Sequence, residues 1–228
     1  MLDSSPTPPP LPGRQREARA NDTAILAAAR EVFALQGHGA PISEVAQRAG
    51  VGVGSVYRRY PTKEALVEAL HVAAVAEVAD LAATVADARQ AASGSEVARD
   101  GPRDDGAVAS FLARHITGAT GPLLRPPGAQ SPIPPELAAA SDRLRAGLER
   151  LIALDRAERR VPEGFTPADV MQLVVHLRPP LPLPRAESDA LHLRYLGLVV
   201  RGLRERAAAG ARLADGPGWD EWVGAWHD

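Results

Sequence analysis

The stretch that most constrains the chain is Ala49-Gly-Val-Gly-Val-Gly-Ser-Val-Tyr-Arg-Arg-Tyr-Pro-Thr-Lys-Glu-Ala-Leu66. Just before it, Ile42, Val45, Ala46 and Ala49 recur at helical spacing, so one face of a short helix is expected to be buried. Gly50 stands where that helix must stop in a left-handed conformation, which glycine adopts without steric cost. Val51 can plug the angle that follows. Ser55 to Tyr60 predicts a second, very short helix, ended by Pro61, with Thr62 able to cap the next one through its hydroxyl. So short a helix does not persist alone in water and needs a scaffold. What it offers outward is hydroxyl, phenol and guanidinium, the make-up of a rod laid into a DNA major groove. A plain surface helix pair in some other all-α protein is the alternative, because helix-turn-helix spacing by itself often misleads.

The combination of positions is more telling. Ala49-Gly-Val-x-x-Gly-Ser-Val-Tyr-x-x-Tyr-Pro-Thr-Lys-Glu-x-Leu66 resembles the DNA-binding signature of the TetR family of transcriptional regulators. Ile25-Leu-x-Ala-Ala-x-x-x-Phe33, with Gly37, resembles the first helix of that family. The likeness covers roughly residues 20 to 70, and beyond them it rests on helix order and length. It implies an all-α fold: a three-helix helix-turn-helix DNA-binding domain, then a helical ligand-binding and dimerisation bundle. It also implies a ligand-responsive repressor that binds a palindromic operator as a dimer and is released by a small-molecule effector.

Charge and composition fit that reading. Residues 14–63 hold eight basic and four acidic side chains, a net of +4, while residues 64–228 hold 18 basic and 23 acidic ones, a net of −5. A basic head on an acidic body suits a polyanion bound at one end; chance scatter is the plain alternative. Cysteine is absent, which removes disulfides and thiolate metal sites. No secretory signal and no uninterrupted membrane-length apolar run is evident, so a cytoplasmic protein with no membrane partner is expected. Aromatic residues are only 4% of the chain, so the core must be built from Ala, Leu and Val.

Three parts are expected: a proline-rich disordered tail with a basic arm over 1–19, the DNA-binding domain over 20–66, and the ligand-binding and dimerisation domain over 67–228. Arg14, Arg16 and Arg19 read either as an arm reaching DNA or as a solvated lead-in to a helix. Asn21 or Asp22 can cap the first helix, whose buried stripe is Ile25, Ala28, Ala29, Val32 and Phe33. Pro41 fits the first turn of the next helix, at some cost in capping where relatives often carry threonine. Helical patterns follow from Thr62 toward Ala92, over Ala107 to Ala119, Glu136 to Arg159, from Thr166, and over Glu187 to Ala209. Ser93 to Gly106 and Gly121 to Pro135 read as irregular segments. Trp219, Trp222 and Trp226 predict a short helix pinned back onto the body.

The expected DNA contacts are Ser43, Arg48, Val53, Gly54, Ser55, Tyr57, Arg58, Arg59 and Lys63. Tyr57 and Lys63 match family positions that hold the backbone, and Lys63 opens a helix, where main-chain donors also favour phosphate. Arg59 sits where relatives often carry histidine; it or Arg58 can reach a phosphate or pair with guanine O6 and N7. Val53 can pack on a thymine methyl, and Gly54 allows close backbone approach. Ser43 and Arg48 flank the first helix of the motif. The resemblance places the dimer interface on the helices at about 167–177 and 187–209, where Gly197 and Gly202 permit close packing. It also implies an effector cavity in the body, for which Phe111, His115, Leu123, Met171, His176 and Tyr195 are candidates, each more readily read as plain core. No cofactor, metal site or catalytic residue is expected. Gly50-Val-Gly-Val-Gly54 lacks the preceding strand that a dinucleotide fingerprint needs, and the histidines show no ligand spacing. A helical small-molecule-binding protein or enzyme with a vestigial head is the alternative.

Overall fold

The computed structural model describes residues 13–93, 105–118, 133–179 and 181–225. The chain forms two compact units, Met1–Leu70 and His71–Asp228. The first contains α1 (Gly13–Gln36), α2 (Ile42–Ala49), α3 (Val53–Arg59) and the start of α4 (Lys63–Ser93). The second contains the rest of α4, α5 (Ala107–Gly118), α6 (Pro135–Ala157), α7 (Pro167–His176), α8 (Arg185–Ala208) and α9 (Trp219–Ala225). The protein is all-α; the described residues add only an isolated bridge between Glu163 and Arg212.

In the first unit Ile25, Ala28, Ala29, Val32 and Phe33 of α1 are buried together with Ile42, Val45 and Ala46 of α2. Two local expectations are corrected. Helix α1 begins at Gly13, so Arg14, Arg16 and Arg19 lie in its first turns, as the helix lead-in reading has them, and Asn21 and Asp22 lie inside it instead of capping it. The sequence Arg-Gln-Arg-Glu-Ala-Arg-Ala from Arg14 to Ala20 has good helix formers throughout, which explains the extension. Pro41 is not in the first turn of α2 but at its cap, with φ −73° and ψ 149°, and it supplies no side-chain bond. The proline-rich tail over 1–12 lies outside the described residues, as do 94–104 and 119–132 of the segments read as irregular.

The core of the second unit joins Val78, Ala82 and Val85 of α4 to Phe111 and Leu112 of α5, Leu144 and Leu148 of α6, and Val170 and Met171 of α7. Each large side chain buried there contributes about 1.5–3 kcal/mol. Helix α4 runs as one element over Lys63–Ser93. On length and composition α4 is apolar enough to cross a membrane, against the sequence expectation. Its apolarity is largely alanine's, and Val78, Ala79, Ala82, Val85 and Ala86 are committed to the protein core. Helix α7 starts as its sequence indicates: Thr166 accepts the Asp169 amide at 3.3 Å, Asp169 accepts the Thr166 amide at 2.8 Å, and Pro167 takes the first position. The last carbonyls of α5 are closed by Arg185, which donates to Ile116 O at 3.3 Å and Thr117 O at 2.8 Å.

His115 of α5 is 8% exposed. Burial, and then the positive charge of Arg178, lower its pKa from 6.5 to about 4. The unfolded chain therefore takes up this proton first. The stability due to neutral His115 is complete above pH 6.5 and is lost as pH falls toward 4. Within that window the loss is expected at about 1.4 kcal/mol per pH unit. Chemical denaturation across the window checks it: His115→Phe should unfold with a visibly flatter acid dependence than the parent protein.

Candidate nucleic-acid interface

The turn between α2 and α3 is set by Gly50, at φ 69° and ψ 27°. The Gly50 amide donates to Gln47 O at 3.2 Å and the Val51 amide to Ala46 O at 3.0 Å. Those bonds close the end of α2 and turn the chain; a side chain with Cβ would strain this backbone. Helix α3 then begins after Gly52, whose carbonyl accepts the Ser55 amide at 2.8 Å. Val56 is the only buried residue of α3, and Tyr60 is buried at its end. Tyr57, Arg58, Arg59, Val53 and Gly54 are exposed, and Ser55 is partly so. The helix is thus anchored on one side and presents the phenol and both guanidinium groups on the other.

The charges are already organised. Arg58 Nη2 donates to Ser55 Oγ at 3.0 Å, one turn away. Arg59 Nε lies 2.8 Å from both carboxylate oxygens of Asp22 on α1. The hydrogen bond to Asp22, then its charge, raises the Arg59 pKa further. Its guanidinium also lies 5.8 Å from the Tyr60 ring centre. Arg48 is paired with Glu31 at 2.8 Å, and Gln36 donates to Glu44 across α1 and α2. Lys63 is half-buried, its ammonium 5.6 Å from the Phe33 ring centre. Ser43 is exposed on α2. Thr62 caps α4 by accepting the Ala65 amide at 3.1 Å. Exposed ion pairs of this kind are worth only about 0–1 kcal/mol, so exchanging Asp22 for a phosphate costs little.

The partner role of Asp22 was not visible in the sequence, where it reads as a helix cap. Its signal is position: one of four acids in a basic head, one turn before the buried stripe of α1.

The second unit contains a cavity of about 380 Å³. Val75 and Val78 of α4, Leu137 of α6, Met171 of α7, and Trp219 and Trp222 of α9 supply its apolar wall. Of the residues expected there, Met171 alone lines it. Phe111 and His115 stack on each other within the core, ring centres 6.3 Å apart. His176 is exposed, its Nδ1 donating to Gln172 O at 2.7 Å, and Tyr195 is exposed on α8. Leu123 lies outside the described residues. This cavity has no local signature in the sequence, because α9 closes it and the contribution of α9 depends on the chain folding back on itself.

Residues 25–70 match the family model described as bacterial regulatory proteins, tetR family. No protein of curated function matches the chain in sequence. Among solved structures, a TetR transcription regulatory protein from Mycobacterium vanbaalenii is 27% identical, with a TM-score of 0.58, over 84% of this chain and 99% of that one. A TetR transcriptional regulator from Streptomyces coelicolor is 26% identical, with a TM-score of 0.54, over 80% of this chain and 98% of that one. The head, matched through the turn and its short outward helix, is thus a tetR-family DNA-binding domain, and the likeness to TetR transcriptional regulators continues across the helical body.

Proposed function

We propose that the protein is a cytoplasmic repressor that binds an imperfectly palindromic operator as a homodimer and is released when a small molecule fills the second unit. The observation that carries the reading is α3, whose one buried residue is Val56 while Tyr57, Arg58 and Arg59 stand exposed. In this reading residues 20–66 bind DNA and residues 67–228 bind ligand and dimerise. Tyr57, Lys63, Ser43 and Arg48 hold phosphates, while Val53, Gly54, Ser55, Arg58 and Arg59 face the bases. Half-sites should then lie about one helical turn, or a multiple of it, apart.

The dimer forms through the helices at about 167–177 and 187–209, with α8 dominant. Helix α7 keeps Val170, Met171 and Val174 in its own core, whereas α8 leaves Tyr195 52% and Leu198 57% exposed. A Cβ placed on Gly197 or Gly202 would meet nothing within 4 Å, so that face is open to another helix. Helix α4 is the covalent link: Lys63–Leu70 belongs to the head, and His71, Val75 and Val78 line the cavity. Release requires the effector to bind the DNA-incompetent state more tightly, and α4 is the element through which that preference would act.

Arg59→Ala is expected to weaken operator binding by about 1–3 kcal/mol in a mobility-shift titration. Asp22→Ala, which frees the guanidinium, is expected to strengthen binding to duplex DNA instead. Unchanged affinity in both variants would remove Arg59 from the interface. A helical small-molecule-binding protein or enzyme with a vestigial head would be indifferent to DNA, including the promoter beside its own gene.

A further inference from the structure

The cavity in the second unit is apolar over most of its wall, and its carboxylates are the charged groups that border it. Asp142 of α6 and Asp220 of α9 border it, with Ser141 and His71. Among the described residues no lysine or arginine lines it. Both carboxylates are exposed, and neither forms an ion pair among the described residues. The wall also carries Trp219 and Trp222, stacked with ring centres 5.3 Å apart and both largely buried. Two free carboxylates at the edge of an indole-walled cavity repel anions. They favour a positive charge, which indole faces also attract. The size, about 380 Å³, is at the small end of ligand pockets.

We propose that this cavity takes a lipophilic cation, an amine or quaternary ammonium on a compact apolar body. The body lies against Val75, Val78, Leu137 and Met171, and the charged end lies toward Asp142 and Asp220. The proposal deepens the effector role proposed above and rests on it only for the consequence at DNA; the binding preference stands by itself.

The tryptophans make the test direct. All three in the chain are in the carboxyl-terminal tail, and two of them wall the cavity, so intrinsic fluorescence reports on this region. Full-length protein is titrated with octyltrimethylammonium, octanol and octanoate below their micelle concentrations. The ammonium is expected to bind about tenfold more tightly than octanoate, with the alcohol between them. In the double variant Asp142→Asn, Asp220→Asn the ammonium should fall to the level of the alcohol, while the alcohol itself is unchanged. Octanoate binding as tightly as the ammonium, a cation preference that survives in the double variant, or no response to the ammonium would each overturn the proposal. The same three compounds are added to the operator complex. Selective ammonium binding with no loss of DNA would sink the effector reading and leave the cation site standing. DNA release by octanoate, without ammonium preference, would do the reverse.

Discussion

Asp155→Ala is expected to lower the stability of the second unit by about 3–5 kcal/mol, because two buried backbone donors lose their acceptor at once. Asp155 lies on α6 and is 2% exposed. Its Oδ1 accepts the Ala107 amide at 2.7 Å and its Oδ2 the Val108 amide at 2.9 Å, so it caps α5 from another helix. Burial pushes its pKa up, while the two amides and the charges of Arg160 and Arg89 pull it down. Gly106, just before α5, has φ 100°, and a Cβ there would stand 2.8 Å from the carboxylate oxygens. Gly106→Ala is therefore disfavoured both by its backbone and by collision with the cap. Asp155→Asn keeps one acceptor and should fall between the parent and Asp155→Ala. Chemical denaturation followed by circular dichroism reads all three; a loss under about 1 kcal/mol for Asp155→Ala would mean that solvent replaces the carboxylate.

Leu198→Arg is expected to turn the dimer into monomers and to cut operator affinity about 100-fold or more, since one head must then bind without the second. Leu198 and Tyr195 form the exposed apolar part of α8, and Arg194 and Arg201 stand on the same exposed side. A two-fold interface presents the same patch twice, so one substitution brings two new guanidinium groups into it, near cations already there. Light scattering gives the oligomeric state and a mobility shift the affinity. A variant that stays dimeric with full affinity would place the interface elsewhere.

The head was legible because its information is local. Gly50, Val56, Tyr60 and Thr62 act within a few residues of themselves, and the spacing from Ala49 to Leu66 encodes the turn, the short helix and the next cap. The Thr166 and Asp169 cap was readable for the same reason. What escaped was contact between distant segments. Asp155 continues the buried stripe of Leu144, Leu148, Leu151 and Ile152 at helical spacing, which is a signal in itself. Its partners lie 47 and 48 residues earlier, and no local pattern names them. The pairing of Arg59 with Asp22 likewise spans 37 residues, and no local pattern announces it. The tryptophan spacing announced a pinned helix, but not that the helix would wall a cavity.

The central claim is that α3 meets duplex DNA through its exposed cations. It is tested most directly by titrating a palindromic duplex from the promoter beside the gene over a series of salt concentrations, with the parent protein and Arg58→Ala. Binding is expected to weaken linearly in log affinity against log salt, and Arg58→Ala to weaken binding and reduce the slope by about one. No binding at low salt, or identical affinity and slope in the two proteins, would contradict the account.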